Sequence, residues 1–440
     1  MTVTDTKMMM EEGKRVLARL EEAGYSAFFV GGCVRDLVSG RPIHDVDLAS
    51  SAPPEKAIEL FPDALATGLK HGTITVRQGG CFFELTTFRK ETEYKDHRRP
   101  DGVEFVSEIE EDLRRRDFTM NAMAMDRHGV LLDPFQGAAD LEQGILRAVG
   151  EPDERFREDA LRMLRCIRFA ANYKLSVEEN TWLALLANAR LLRHIAMERV
   201  RSEVVRMIEG PYPVEGLRLL SDSRLLRYTK ERLDMALRDW TANELPPVLL
   251  TLDGLASELR LLLLAKVMEL SASQAEALWR TMTFSVKEGK RTAAFLGADA
   301  YLARELGLAA RHAKAIASDE AAPLFKRAVL LFAEEAMQDW LAIARHFSQH
   351  GLPIWADATL PSVEALLQEG EDWLRQMPAK RMEELAVNGG AIQASLDRKP
   401  GPWLGKLMKH MLEEVAVGEL PNEENALLDW ACKRAQEITD

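Results

Sequence analysis

The amino-acid sequence predicts an α+β fold, with a mixed β-sheet confined to the first third of the chain and helices throughout the rest. Two observations carry that reading. Up to about residue 150, short β-rich runs alternate with turn signals and helix-period stretches. From about Glu151 the β-branched runs disappear, and Leu, Ala, Arg and Glu recur at spacings of three and four residues to the C-terminus. A third observation sets the scale: 440 residues, 47% of them apolar, supply more core than one domain uses, so roughly two to four domains are expected.

Residues 7–20 read as an amphipathic helix whose Glu11, Glu12, Lys14 and Arg15 deny it the apolar centre of a signal peptide. Strands are predicted at 27–30, 46–49, 73–76, 82–88, 103–106 and 145–149, with a helix over 53–61. In the helical remainder, breaks fall at Gly210-Pro211-Tyr212-Pro213, at Glu244-Leu245-Pro246-Pro247, and from Gly351-Leu352-Pro353 to Leu360-Pro361. With the change of pattern at about Glu151, the first and last of them bound the expected segments 1–150, 151–212, 213–350 and 351–440. Trp240, Trp279, Trp340 and Trp355 are expected in cores or seams, and His346 and His350, with no acid or cysteine in a ligand pattern beside them, at the surface. The densest apolar run, 261–265, is stopped by Arg260 and Lys266, so no membrane span is expected.

Lys and Arg number 57 against 70 Asp and Glu, a net charge of −13, which on its own disfavours a polyanionic partner. The local balance reverses that inference, because five arginines meet two acids between residues 155 and 168. Cys33, Cys81, Cys166 and Cys432 lie far apart with no C-x-x-C pair. Neither a disulfide framework nor a zinc site is suggested, and a cytoplasmic setting is expected.

A predicted strand runs into Gly31-Gly32, where backbone N–H groups can approach a phosphate and Arg35 can add a charge-assisted contact. A tight structural turn would use the same glycines. Asp45 and Asp47, two apart in a predicted strand, present two carboxylates side by side. Such a pair repels itself unless a cation joins it, and hard oxygens suit Mg²⁺; a solvated turn with alternating acids is the competing reading. Glu84 alternates within another predicted strand and could face the pair, or be an ordinary exposed position.

Taken together, Gly31-Gly32-x-x-Arg35-Asp36 and Asp45-x-Asp47 resemble the signature of nucleotidyltransferases with a polymerase-β-like head. Three later blocks narrow the resemblance: Arg115-Arg116-Asp117-Phe118-Thr119-Met120-Asn121-Ala122, Asp133-Pro134-Phe135-x-Gly137, and Arg155-Phe156-x-Glu158-Asp159-x-x-Arg162-x-x-Arg165-x-x-Arg168-Phe169. They resemble successive motifs of class II tRNA nucleotidyltransferases and bacterial poly(A) polymerases, over a span a little under half of the chain. The resemblance implies a head, neck, body and tail, and template-independent addition of C, C and A to the 3′ end of tRNA from CTP and ATP. It implies that Asp45 and Asp47 hold Mg²⁺; Glu84, from its alternation in the neighbouring predicted strand, is the third candidate catalytic carboxylate. Gly32, Arg35 and Arg116 would hold phosphates or sugar, Asp117 would lie near the ribose, Arg165 would approach the nucleotide, and Arg168 would brace the pocket. Without these flanking motifs, Arg114-Arg115-Arg116 would read as a solvated helix face.

Asp159 and Arg162 can be argued from chemistry. Three apart on a predicted helix they are neighbours, one accepting only and the other donating only. Cytosine presents N4–H beside N3, and adenine N6–H beside N1, so both meet an acceptor next to a donor. Uracil and guanine present the reverse order and would leave groups unsatisfied at about 1–3 kcal/mol each. A surface salt bridge between the two is the competing reading.

The polar stretch 88–100 looks like the flexible loop of CCA-adding enzymes, which favours addition of the terminal A over a stop at CC. Leu385-Ala386-Val387-Asn388-Gly389-Gly390, with Lys399-Pro400-Gly401-Pro402-Trp403, is similar to the tail of the Gram-positive type. There Gly389-Gly390, Lys399, Lys406 and Lys409 could hold tRNA phosphates, or the glycines could simply begin a helix. A poly(A) polymerase, a partial CC- or A-adding enzyme, and a non-catalytic RNA-binding protein on the same scaffold are the alternatives; intact Asp45, Asp47, Arg116, Asp159 and Arg162 argue against the last. No protein partner is evident.

Overall fold

The computed structural model describes residues 3–91, 103–231, 233, 245–309, 317–355, 363–399 and 401–434. The chain forms two compact units, 1–244 and 245–440. The break expected at Gly210-Pro211-Tyr212-Pro213 falls inside the first unit, and the one at 244–247 falls where the units divide.

In the first unit α1 (Val3–Glu22) extends the predicted helix at both ends. Its Val16, Leu17 and Leu20 are fully buried in one cluster with Phe29, Leu48, Val76 and Phe83 of the sheet, so the amphipathic face packs on β-strands. The strands in chain order are β1 (Ala27–Val30), β2 (Asp47–Ser50), β3 (Leu65–Gly68), β4 (Thr73–Gln78), β5 (Cys81–Thr87), β6 (Arg89–Glu91), β7 (Val103–Phe105), β8 (Ala124–Met125), β9 (Leu131–Leu132), β10 (Ile145–Leu146) and β11 (Ser176–Val177). Seven of them make one sheet in the order β3-β4-β5-β2-β1-β8-β9, while β6 pairs with β7 and β10 with β11. The main sheet is mixed: β2 and β5 run parallel and its other pairs antiparallel.

β2 starts one residue later than predicted. Val30 pairs with Asp47, and at Gly31 the backbone of β1 turns away with φ 72°, so no partner strand remains for Asp45. Asp45 lies in the preceding loop, not on the strand, and the expected side-by-side pairing of two strand carboxylates is corrected accordingly. The run 145–149 keeps only two strand residues, its far end making a single bridge between Ala148 and Phe118. Around the sheet sit α2 (Gly32–Val38), α3 (Pro54–Leu60), α4 (Ile109–Arg114) and α5 (Gly137–Glu142). They are followed by α6 (Pro152–Glu158), α7 (Leu161–Tyr173), α8 (Glu179–Asn188), α9 (Met197–Ile208) and α10 (Pro213–Ser223).

The second unit is helical from Ser257–Val267 to Glu424–Arg434. Trp279, Trp340 and Trp355 are buried in it as expected, and Trp240 lies outside the described residues. Asp299 accepts from Trp340 Nε1 at 2.9 Å, Trp355 Nε1 at 3.1 Å and Lys266 Nζ at 2.5 Å. The surface expectation holds for His350 but not for His346, which is 3% exposed with Nε2 2.7 Å from Thr251 Oγ1. A polar partner distant in sequence makes that burial tolerable, and i,i+4 spacing alone cannot reveal it. Among the described residues no helix is long and apolar enough to cross a membrane.

Candidate active site

Gly31 ends β1 in a left-handed conformation, and a Cβ there would lie 3.0 Å from Arg116 Nη1 and 3.6 Å from Asp47 Oδ2. A glycine therefore lets the backbone pass between a guanidinium and a carboxylate. From α2, buried Arg35 donates through Nη1 to Asn121 Oδ1 at 2.7 Å and through Nε and Nη2 to the Asp36 carboxylate at 2.9 and 3.1 Å. Tyr173 stacks 4.5 Å from the same guanidinium while its hydroxyl donates to Asp36 at 2.7 Å. Arg35 is thus fixed before any ligand arrives.

Asp47 opens β2 in register with Glu84 of parallel β5. Burial, then Glu84, then Asp45 raise its carboxyl to about 6 in spite of Arg116. Among the described residues, no ion pair or hydrogen bond neutralises the carboxylates of Asp45, Asp47 or Glu84. That unmet negative charge is the observation on which a divalent cation fits. Asp45 and Glu84 are exposed, and among the described residues no group of three or more His, Cys, Asp or Glu side chains gathers closely enough to hold a metal by itself.

The triple arginine at the end of α4 is not a solvated face. Only Arg114 is exposed, paired with Glu110. Arg115 Nη2 and Arg116 Nη2 reach buried Asp112 at 2.8 and 3.2 Å, and against its burial they hold that carboxyl below the usual range. Arg116 also donates through Nη1 to Asn121 O at 3.2 Å, and its Nε is buried without a partner. Asp117 is buried. It accepts from Arg165 Nε and Nη2 at 2.7 and 2.6 Å and from Asn121 Nδ2 at 2.9 Å. Burial opposes its ionisation, but Arg165 and Asn121 outweigh that and draw it down to about 2.

Asp159 and Arg162 do not share a helix. α6 ends at Glu158, Asp159 is extended at φ −135° and ψ 103°, and α7 starts at Leu161. The i,i+3 helical expectation is corrected for a local reason: the Asp159 carboxylate accepts from Leu161 N at 3.1 Å, an aspartate-to-backbone bond that competes with helix continuation. Nor do the two form an ion pair. Asp159 is held by Arg199 of α9 at 2.8 Å, and Arg162 donates to Glu158 at 2.5 Å, Arg115 O at 2.8 Å and Arg155 O at 3.1 Å. Arg168 donates to buried Glu203 at 2.6 Å and packs 4.0 Å from the Phe169 ring.

These elements enclose a cleft of about 560 Å³. Gly32, Arg35, Asp47, Arg116, Asp117, Asp159, Arg162 and Arg165 line it, whereas Asp45, Glu84 and Arg168 do not. Sequence reasoning assigned no role to Asn121, His71, Arg89, Phe169 or Arg199, which also form the wall. Asn121 and Phe169 lay within recognised motifs; Arg199 had no local signal, since its importance arises only where α9 meets the α6–α7 break.

Residues 27–147 match the family model for the poly A polymerase head domain, 174–237 that for the RNA and SrmB-binding site of polymerase A, and 354–431 that for tRNA nucleotidyltransferase domain 2. The class is therefore that of nucleotidyltransferases with this head, enzymes that depend on a divalent metal. The chain is 35% identical to the CCA-adding enzyme of Lactiplantibacillus plantarum, over 98% of each chain. It is equally similar, at 35% and 98% of each, to that of Geobacillus thermodenitrificans. The solved Bacillus stearothermophilus CCA-adding enzyme in complex with CTP superposes with a TM-score of 0.79 at 32% identity, covering 97% of this chain and 98% of that one. This chain belongs to the CCA-adding enzyme family.

Proposed function

We propose that this chain adds C, C and A in turn to the 3′ end of tRNA, taking CTP and ATP without a nucleic-acid template and releasing pyrophosphate. The observation that carries the reading is a fixed acceptor, Asp159, and a fixed donor, Arg162, both on the cleft wall and not paired with each other. Asp159 takes the N4–H of cytosine or the N6–H of adenine, and Arg162 donates to N3 or N1. Uracil and guanine would oppose donor to donor and acceptor to acceptor, at about 1–3 kcal/mol per buried group. Arg35 and Arg116, both on the cleft wall, take triphosphate oxygens near Gly32. Arg165 faces the nucleotide from α7, and Asp117 and Asn121 lie beside the ribose.

Asp45 and Asp47 are the residues to hold Mg²⁺, with Glu84 adding negative charge behind them. A divalent cation there would supply charge against the attacking 3′-oxygen and the leaving pyrophosphate. The segments 1–150, 151–212, 213–350 and 351–440 serve as catalytic head, base-reading neck, body and tRNA-binding tail. In the tail, Gly389 opens the helix Gly389–Leu396, Asn388 caps it by accepting from Ala391 N at 3.0 Å, and Lys399, Lys406 and Lys409 are exposed toward tRNA phosphates. Most of the loop 88–100 lies outside the described residues. Four free cysteines support a cytoplasmic setting.

The test is extension of tRNA lacking its 3′ end by the purified protein with Mg²⁺, CTP and ATP. Growth by three nucleotides and then arrest is expected; an A-only ladder or a stop after CC would replace this reading. Full activity in Asp47→Ala would remove the metal assignment.

A further inference from the structure

We infer that Arg199, on α9, is the positioning residue that fixes the direction in which Asp159 accepts, and so helps set the selection of C and A over U and G. The inference rests on the proposed reading of bases by Asp159. Because Asp159 stands in extended backbone between two helices, no intrahelical bonding directs its side chain, and the terminal torsion of a carboxylate is broad. Two contacts remove that freedom. Leu161 N donates to Oδ1 at 3.1 Å, and Arg199 Nη2 donates to Oδ2 at 2.8 Å with Nη1 3.4 Å from Oδ1. A planar guanidinium gripping both oxygens fixes the plane of the carboxylate as well as its position, which a point charge cannot do. Held in that plane, the carboxylate aims its free lone pairs in one fixed direction. A rotated Asp159 would turn those lone pairs away from the amino group of cytosine or adenine and weaken the discrimination against uracil and guanine.

Arg199 is itself anchored. One turn along α9, Glu203 is 4% exposed and accepts from Arg168 of α7 at 2.6 Å. Positions 199 and 203 share one helix face, so this buried ion pair sets where the Arg199 side chain begins relative to α7. The donor Arg162 is braced separately, by Glu158 and two backbone carbonyls. Acceptor and donor are therefore held from different elements, and perturbing Arg199 acts on one of them alone.

The experiment uses the full chain with Asp159→Ala, Arg199→Gln, Arg199→Lys and the double variant Asp159→Ala/Arg199→Gln, measuring kcat and KM for CTP and ATP and the rate of UTP misaddition. Loss of a charge-assisted brace is expected to raise KM for CTP and ATP about tenfold or more, with a smaller change in kcat and a higher UTP-to-CTP ratio. Arg199→Lys, which keeps the charge but loses the fork, falls between wild type and Arg199→Gln. In the Asp159→Ala background, Arg199→Gln should change KM less than about twofold, because coupled residues are not additive. A full tenfold effect surviving in that background would place Arg199 on the nucleotide itself and overturn the inference. Lower kcat and melting temperature with unchanged selectivity would overturn it too, as a merely structural role. If Asp159→Ala alone leaves selectivity unchanged, the base-reading assignment fails and takes this inference with it. Should Arg199→Gln not fold, the selectivity of Arg199→Lys decides between the same outcomes.

Discussion

Replacing Asp117 by Asn should destabilise the first unit by an amount that depends on pH in a defined direction. The carboxyl is held at about 2 against an ordinary value of 3.8, and that difference corresponds to about 2.5 kcal/mol of stability at neutral pH. A depressed carboxyl contributes fully above its unfolded value and loses the contribution as pH falls toward the folded one. The gap between wild type and Asp117→Asn should thus be constant from pH 7 to about 5 and narrow below about 4. Arg165 is about a third exposed and keeps Glu203 at 4.0 Å, so its own loss of Asp117 is part of the same figure rather than a separate one. Urea unfolding of both proteins between pH 3 and pH 7 measures the gap. A difference below about 0.5 kcal/mol at pH 7, or one unchanged down to pH 3, would refute the account of Asp117 as an ionised, arginine-held group.

Three further expectations follow from local geometry. Gly137→Ala would place a Cβ 2.1 Å from Thr119 O, a backbone clash expected to cost about 3 kcal/mol or more; a melting temperature within a degree of wild type would contradict it. Asp47→Asn should be inactive yet more stable than wild type in chelator at pH 8. The wild-type carboxyl, raised to about 6, loses up to about 3 kcal/mol as pH climbs from its ordinary value past 6, and the neutral amide does not; a variant that melts lower than wild type at pH 8 and in the same way at pH 4 would count against this. Titration with an aromatic disulfide should modify exposed Cys432 first and Cys81 more slowly. Burial raises the thiol of Cys33 to about 11 and that of Cys166 further still, so both should react only on unfolding.

The strand at 27–30 and the helix at 54–60 were legible because apolar alternation and helical period are local properties. β3 was not: Leu65, Ala66 and Thr67 are exposed, and it belongs to the sheet only through β4. The cleft was legible where side chains fall in compact motifs, as with Gly32, Arg35, Arg116 and Asp117. Spacing misled at Asp159, because a three-residue step looks helical whether or not the helix is continuous, and what interrupts it is the carboxylate's own bond to Leu161 N. Arg199 and His346 illustrate the other limit, since the role of each depends on a partner, Asp159 or Thr251, forty or more residues away.

Seven arginines and no lysine line the cleft among the described residues, so its cationic wall consists of guanidinium groups. Among the described residues, reagents and enzymes that acetylate or carbamylate amines find no target there. Covalent inactivation at this wall calls for dicarbonyls that condense with guanidinium, and bound nucleotide should shield it from them.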